Sequence, residues 1–288
     1  MESYWKIVAC DLDGTLIGWN HKINDRDLEA LRKARDAGIH VAICTGRNAR
    51  ESAGIIRSLN LSGLGVFANG AMVSDMATGA AVDSQIIDDG LVDEAIEFFG
   101  SRGHPSLLLA DDPETRLPAY YMTDHGPPHR ATTDWLLVNR VHSIMVNEVP
   151  AQARGRIVRL GIVVNVTENE PMHRELQAHF EGRATTHSIY SPHYDCQILE
   201  FFRHGANKWS GIEHMAGVMG VGAERVIAIG DDVNDLAMLR GAKLSFAMGD
   251  AKDFVKAEAK RVTGAQGECG VAQVIDLLLA GELEPARG

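Results

Sequence analysis

The sequence predicts an α/β protein in which a parallel sheet, wound by helices, is interrupted by an inserted α+β domain. Two observations predict the sheet: short apolar runs alternate with helical patterns at both ends of the chain, and several of these runs end in polar residues. A third predicts the insertion, because strand-like runs follow one another closely in the middle of the chain. We therefore expect a core domain formed by residues 1–82 and 193–288, and an inserted domain at residues 83–192.

The first part of the core reads as strands and helices in alternation. Its apolar runs are short and continuous, as in strands buried on both faces of a parallel sheet. Asn24 is placed to cap the first helix and Gly38 to end it. The predicted strands are residues 7–9, 39–44 and 65–68, and a second helix is expected at residues 50–59.

The inserted domain and the end of the chain complete the pattern. Inside the insertion, strands are expected at residues 106–110, 119–123, 142–146, 157–166 and 185–190, with helices at 91–99 and 172–180. The core is expected to resume with a strand at residues 197–202. A helix then begins at Lys208, and a strand at residues 226–229 leads into a cluster of acids.

The composition excludes several classes of protein. A formal net charge of −11 at pH 7 argues against binding to nucleic acid or to an anionic membrane. The sequence has no recognisable signal peptide and no run of 18 apolar residues. Its four cysteines have no CxxC or CxxH spacing. We therefore expect a cytoplasmic protein with reduced thiols, either a monomer or a homodimer.

The first apolar run ends at a pair of acids, Asp11 and Asp13. Ligands of open α/β sheets bind at the carboxyl ends of the strands, and two carboxylates in one small volume need a cation or a shared proton. Mg²⁺ prefers such oxygen ligands and leaves positions for phosphate. Gly14 permits a tight turn and Thr15 offers a hydroxyl that can orient the acids. The alternative for this stretch alone is a turn that closes a hairpin.

Three later segments favour the metal site over the hairpin turn. Thr45, Gly46 and Arg47 follow the second apolar run, and Lys208 opens a helix. The strand at residues 226–229 runs into the sequence GDDVND at residues 230–235. The order is therefore acid pair, hydroxyl, lysine and acid cluster, which together suit phosphoryl chemistry.

These segments resemble the haloacid dehalogenase superfamily of phosphohydrolases, and more closely its Cof-type branch. The matching motifs are DxDGTL, TGR, a late lysine and GDxxND, and the resemblance extends to Asn69-Gly70-Ala71. It covers both flanks of the chain and leaves the middle unmatched. The resemblance implies a Rossmann-like core, a C2-type cap at the insertion, and a Mg²⁺-dependent phosphatase.

The resemblance also implies roles for the acids. Asp11 would be the nucleophile that forms an aspartyl-phosphate, and Asp13 would be the general acid and base. The metal would be held by the carboxylates of Asp11 and Asp231 and by the main-chain oxygen of Asp13. Whether Asp232 or Asp235 contacts the metal stays open, because acids at the start of a helix are stabilised there in any case.

The remaining candidate residues would bind the substrate phosphate. The Thr45 hydroxyl and the Gly46 amide can donate to phosphoryl oxygens, and Lys208 can neutralise charge that develops on them. Arg47 could reach the phosphate or the body of the substrate. Asn234 can donate to a phosphate oxygen or to a ligating carboxylate.

The leading hypothesis is a phosphatase for a small phosphorylated metabolite, such as a sugar phosphate. One alternative is a phosphomutase of the phosphomannomutase type, which shares the DxDGT motif. Another is a regulator that binds a phosphorylated metabolite and has only vestigial catalysis. Cap residues at 110–133 and 185–193 are expected to select the substrate, whose identity no motif in the sequence indicates.

Overall fold

The computed structural model describes residues 3–18, 22–112 and 118–285, so residues 113–117 of the expected selecting segment lie outside the described residues. The strands are β1 (Ile7–Cys10), β2 (His40–Ile43), β3 (Leu64–Phe67), β4 (Met72–Asp75), β5 (Ala81–Ser84), β6 (Leu107–Asp111), β7 (Pro118–Thr123), β8 (Ser143–Val146), β9 (Ile157–Asn165), β10 (Ala184–Ser191), β11 (Cys196–Arg203), β12 (Val226–Gly230), β13 (Leu244–Ala247) and β14 (Arg261–Val262).

Helices lie between many of these strands along the described part of the chain. They are α1 (Asp25–Asp36), α2 (Ala49–Leu59), α3 (Asp89–Gly100), α4 (Arg130–Val138), α5 (Val166–His179), α6 (Lys208–Val218), α7 (Leu236–Gly241), α8 (Asp253–Lys256) and α9 (Gly270–Leu279). Among the described residues, none of these helices is both long enough and apolar enough to cross a membrane.

The chain divides into two compact units. One contains the residues up to Thr78 together with those from Asn207 onward, and the other is Gly79–Ala206. The first unit has a five-stranded parallel sheet in the order β14-β13-β12-β1-β2. In its register, Ile7 of β1 lies beside Val226 of β12 and beside His40 of β2. The predicted α/β class with a parallel sheet is thus confirmed.

Burial explains why these strands read as unbroken apolar runs. β1, β12 and β13 are buried along their whole length, as expected for strands that have helices on both faces. Residues of α6 and α7, among them Ile212 and Met238, pack against Ile7, Ala9 and Ala228 of the sheet. The carboxyl ends of β1, β2 and β12 therefore share one edge, and that edge is fixed by a packed core.

The second unit is an α+β domain built on a six-stranded sheet. Its order is β10-β11-β9-β6-β7-β8, and every pair is antiparallel except β7 with β8. Side chains of α3 and α5, including Phe99 and Leu176, form a core with Leu160, Leu199 and Phe201 on one face of this sheet. The predicted α+β class of the inserted stretch is confirmed.

One predicted core strand belongs to the sheet of the second unit. Residues 197–202 were expected to return to the core, but β11 pairs with β10 and β9, from Ala184↔Arg203 through Cys196↔Asn165. The second unit therefore extends to Ala206 and not to residue 192. An apolar run predicts a buried strand but does not say which strand lies beside it. α4, which was not predicted, buries only Ala131 and Thr132 and so lacks a clear apolar face.

The start of α1 differs in detail from the expected cap. Asn24 is the N-cap residue, but its side chain does not cap the helix. Its Nδ2 donates instead to the main-chain oxygen of Gln266, at 2.6 Å. Asp27 is fully buried, and its Oδ1 accepts the N–H of Ala272 in the first turn of α9, at 2.8 Å. These two side chains thus join α1 to the end of the chain.

We expect Asp27→Ala to lower the free energy of unfolding by about 1–3 kcal/mol, because it leaves the buried N–H of Ala272 without an acceptor. Urea unfolding measures this change. Arg26→Ala is the matched control, since it removes an exposed ion pair with Asp276 between the same two helices and should cost less than about 1 kcal/mol. Equal losses of stability in the two variants would contradict the assigned role of Asp27 as the acceptor for the Ala272 N–H.

Candidate active site

Three of the predicted residues lie within two residues of the ends of neighbouring parallel strands. Asp11 comes after β1 and its N–H donates to Ile229 of β12, at 3.0 Å. Thr45 is the second residue after β2, and its N–H donates to the main-chain oxygen of Val66 in β3, at 2.9 Å. Asp231 follows β12 immediately. The ladder hydrogen bonds therefore continue to the edge of the sheet and place these side chains there.

Three carboxylates meet at this edge. Asp11, Asp231 and Asp235 each offer an oxygen atom, and these atoms all lie within 4.8 Å of one another. Asp11 and Asp235 are buried and Asp231 is partly buried. Among the described residues, Asp13 does not belong to this group of carboxylates.

Lys208 lies between two of the carboxylates. Its Nζ donates to Asp11 Oδ1 and to Asp235 Oδ1, both at 2.6 Å, and the side chain is fully buried. The start of α6 can approach this closely because Gly70 has no side chain. A Cβ at Gly70 would lie 1.9 Å from the main-chain oxygen of Asn207, and its φ is +97°.

Asp235, which the sequence left open, uses both oxygens within the protein. Oδ1 accepts from Lys208, and Oδ2 accepts the N–H groups of Asp231 (2.9 Å) and Asp232 (3.0 Å). This arrangement favours a positioning role over metal ligation, because each oxygen already has a donor. Asp235 thereby fixes both the ammonium group and the loop that carries Asp231.

The charges at the edge are unbalanced. Burial raises the pKa of Asp11 well above its usual value, although Lys208 opposes the shift. Burial, with the charge of Asp235 second, raises the pKa of Asp231 to about 7. For Lys208, burial lowers the pKa, but the charges of Asp11 and Asp235 outweigh it and the net shift is upward. One ammonium group thus faces three carboxylates, and the carboxylate oxygens of Asp11 and Asp231 fit a hard divalent cation.

Gly14 and Thr15 hold Asp231 in place. The Thr15 hydroxyl donates to Asp231 Oδ1, at 2.6 Å. Gly14 has a φ of +94°, and a Cβ there would lie 2.1 Å from Asp231 Oδ2. The Thr15 hydroxyl, which was expected to orient the acids, therefore orients Asp231. Glycine is needed at position 14 because a side chain would collide with Asp231 and because the turn requires a positive φ.

We expect Gly14→Ala to lower kcat/KM by about 100-fold or more, because the new methyl group would displace the Asp231 carboxylate. Gly38→Ala is the matched control: its φ is +81°, but no atom lies within 4 Å of the added Cβ. Both variants should lose about 1 kcal/mol of stability, and only the first should lose activity. Similar activities for the two variants would contradict a role for the close approach between Gly14 and Asp231.

A second group of polar residues lies beside the carboxylates. Gly46 is packed against Asn69, whose Oδ1 would be 3.0 Å from a Cβ at residue 46. Asn69 Oδ1 also accepts from Asn234 Nδ2, at 3.2 Å, and the Asn69 N–H donates to the Thr45 oxygen, at 3.1 Å. Asn69 has a left-handed φ of 52°, a conformation that asparagine tolerates better than most residues.

Asp13 and Arg47 form an ion pair with each other. Arg47 Nε donates to Asp13 Oδ2 at 2.8 Å, and Nη2 donates to Asp13 Oδ1 at 2.5 Å. The Asp13 side chain is 51% exposed and that of Arg47 is 34% exposed. The Arg47 N–H donates to the Thr45 hydroxyl oxygen, at 3.2 Å. The pair is thus tied to the Thr45 turn.

The structure therefore divides the predicted residues into three linked groups. Asp11, Lys208 and Asp231 meet at the carboxylate cluster; Thr45, Gly46 and Asn234 are joined through Asn69; and Asp13 pairs with Arg47. Sequence reasoning did not select Asn69 and did not decide the role of Asp235. The left-handed Asn-Gly turn after β3 was the available signal for Asn69, but nothing in the sequence indicates its contact with Asn234.

Comparison with known proteins shows a family match over most of the chain. Residues 8–275 match the family model described as haloacid dehalogenase-like hydrolase. The 5-amino-6-(5-phospho-D-ribitylamino)uracil phosphatase YitU of Bacillus subtilis (strain 168) is 28% identical, with 96% of this chain and 98% of that protein covered. The pyridoxal phosphate phosphatase YbhA of Escherichia coli (strain K12) is 24% identical, with coverages of 94% and 97%.

The fold has a close counterpart among solved structures. A haloacid dehalogenase-like hydrolase from Bacteroides thetaiotaomicron superposes with a TM-score of 0.76 at 22% identity, and the match covers 94% of this chain and 98% of that one. The arrangement of strands and helices is therefore shared at low sequence identity.

Proposed function

This chain belongs to the haloacid dehalogenase-like hydrolase family, and on that premise we propose that it is a Mg²⁺-dependent phosphatase for a small phosphorylated metabolite, acting through an aspartyl-phosphate. It is a phosphoric monoester hydrolase, like the relatives described above. The observation that carries the proposal is the cluster of Asp11, Asp231 and Asp235 around Lys208 at the carboxyl edge of the parallel sheet.

The proposed first step transfers the phosphoryl group to the protein. A carboxylate oxygen of Asp11 forms a bond to phosphorus while the bond to the leaving oxygen breaks, and Asp13 gives that oxygen a proton. Lys208 holds Asp11 in place and neutralises charge on the phosphoryl oxygens. The Thr45 hydroxyl, the Gly46 amide and the Asn234 amide are proposed to hold the phosphate.

The second step releases inorganic phosphate. Asp13 takes a proton from water, the water oxygen bonds to phosphorus, and the bond to Asp11 breaks, which restores both carboxyl groups. The cation would be held by Asp11, Asp231 and the main-chain oxygen of Asp13, and when bound it supplies positive charge for the phosphoryl oxygens.

The relatives suggest what kind of substrate to test first. YitU is named for a phosphorylated ribityl compound and YbhA for pyridoxal phosphate. We propose a sugar phosphate or a similar compact phosphate ester for this chain. A cytoplasmic setting is supported by the cysteines at positions 10, 44, 196 and 269, which are all free thiols.

Phosphate release from p-nitrophenyl phosphate, followed by a panel of phosphorylated sugars, nucleotides and cofactors, tests the proposal. The expected result is turnover with at least one ester. A folded protein that binds these esters without turnover would indicate the regulator, and glucose 1,6-bisphosphate-dependent isomerisation without net phosphate release would indicate the mutase.

We expect turnover to fall below about 1% when the divalent cation is removed with EDTA, since the buried carboxylates are then left with too little positive charge. Added Mg²⁺ should restore the rate. A rate that EDTA does not change, in protein shown by elemental analysis to contain no metal, would overturn the metal dependence.

A further inference from the structure

We propose that Arg47 is a positioning residue that holds Asp13 in a resting position, and that the substrate phosphate frees Asp13 by competing for the guanidinium group. This inference rests on the proposed function, in which Asp13 must reach the leaving oxygen. Both oxygens of the Asp13 carboxylate accept hydrogen bonds from Arg47. While that pairing lasts, the carboxylate of Asp13 is held in an orientation in which both oxygens face Arg47.

The pairing is a two-point contact made by a single group. A planar guanidinium group presents parallel N–H bonds that match the two oxygens of a carboxylate, and they match two oxygens of a phosphate equally well. Arg47 donates to Asp13 through Nε and Nη2, so this edge of the guanidinium group is occupied by the contact. A phosphate that engages the same edge must displace Asp13.

Arg47 is placed where a phosphate would arrive. Its N–H donates to the Thr45 hydroxyl oxygen, and its carbonyl oxygen accepts the N–H of Ala68, so its main chain is anchored in the turn after β2. The side chain is only partly exposed and extends from this fixed point to Asp13. The anchored backbone allows the guanidinium group to change partner without any change in the fold.

Exchange of Asp13 for the phosphate at the Arg47 guanidinium group makes the acid available only when a phosphate is bound. Without a phosphate, Asp13 is held by Arg47 at the surface, with its carboxylate half exposed. With a phosphate bound, the dianion takes over the guanidinium group and Asp13 can turn to the leaving oxygen. Arg47 thus couples the presence of the phosphate to the availability of the acid, because the same guanidinium group binds either the phosphate or Asp13.

The test is a double-mutant cycle with inorganic phosphate as the probe. Isothermal titration calorimetry at a fixed Mg²⁺ concentration compares the unmodified protein with Asp13→Asn, Arg47→Met and the double variant. We expect Asp13→Asn to tighten phosphate binding by about fivefold or more, because the competitor for Arg47 is weakened. In the Arg47→Met background the same change should alter binding by less than about twofold.

Two controls separate competition from a simple loss of negative charge. Asp232→Asn removes an exposed acid next to Asp231 that does not contact Arg47, and it should tighten binding by less than about twofold. Arg47→Lys keeps the positive charge but lacks the paired N–H groups of guanidinium. In this background, Asp13→Asn should tighten phosphate binding by an amount between those seen with Arg47 and with methionine. Thermal unfolding of each variant checks that it is folded, which we expect because the main-chain contacts of Arg47 remain.

Equal tightening by Asp13→Asn in both backgrounds would overturn the inference, because the effect would then be one of charge alone. Absence of tightening in the presence of Arg47 would overturn it as well. The cycle measures binding and not turnover, so its result can be read even if no substrate is hydrolysed. Turnover together with a null cycle would remove this inference and leave the proposed function intact.

Discussion

Replacement of Asp11 by asparagine is expected to lower kcat by at least about four orders of magnitude and to leave the protein folded. The amide has nearly the shape of the carboxylate but cannot act as the nucleophile. Lys208 keeps its second partner, Asp235, so the buried ammonium group stays paired. Because burial raises the pKa of Asp11, removal of its charge also relieves crowding among the three acids.

Initial rates with p-nitrophenyl phosphate and thermal unfolding together test this expectation. Asp253→Asn is the control, since the side chain of Asp253 is fully exposed and should tolerate the same substitution without loss of rate. Full activity of Asp11→Asn would assign the nucleophile to another residue. Loss of folding in this variant would instead show that Lys208 needs both carboxylates.

Replacement of Lys208 by methionine is expected to cost both rate and stability. The rate should fall by an amount equivalent to about 2–4 kcal/mol of transition-state stabilisation, since a charge next to the phosphoryl group is lost. The free energy of unfolding should fall by about 3–5 kcal/mol, because Asp11 and Asp235 would be left buried without a counter-charge. Single-turnover rates and urea unfolding measure the two losses separately.

A second substitution distinguishes the two effects. Adding Asp235→Asn to Lys208→Met removes one of the uncompensated charges, so stability should recover in part while the rate stays low. An unchanged rate in a folded Lys208→Met protein would remove Lys208 from the chemistry. Recovery of the rate in the double variant would show that Lys208 acts only through the fold.

The sequence predicted the parallel sheet and the location of the acids for a physical reason. Strands buried on both faces are uninterrupted apolar runs, and polar residues directly after such runs must lie at the carboxyl edge. The sequence alone therefore locates Asp11, Thr45 and Asp231 at this edge. Gly14 and Thr15 were also recognised, although the sequence did not show that their partner is Asp231.

What escaped prediction depends on contacts between distant segments. β11 contains four large apolar residues, and only its pairing with β10 and β9 places it in the second unit. Asn69 and Asp235 look like ordinary turn and helix-start residues, and their importance comes from Asn234 and Lys208 across the site. The pairing of Asp13 with Arg47 is equally invisible in the motif, because spacing does not give side-chain direction.

The strand order of the parallel sheet also constrains how the molecule is made. β1 is synthesised before all of Gly79–Ala206, and its neighbour β12 is synthesised after that unit. The strands of that second unit are contiguous along the chain, so its sheet can be completed while β1 still lacks one neighbour. A nascent chain that ends before Val226 therefore carries Asp11 without Asp231 or Asp235, and the hydrolytic centre can be assembled only after the second unit has been synthesised.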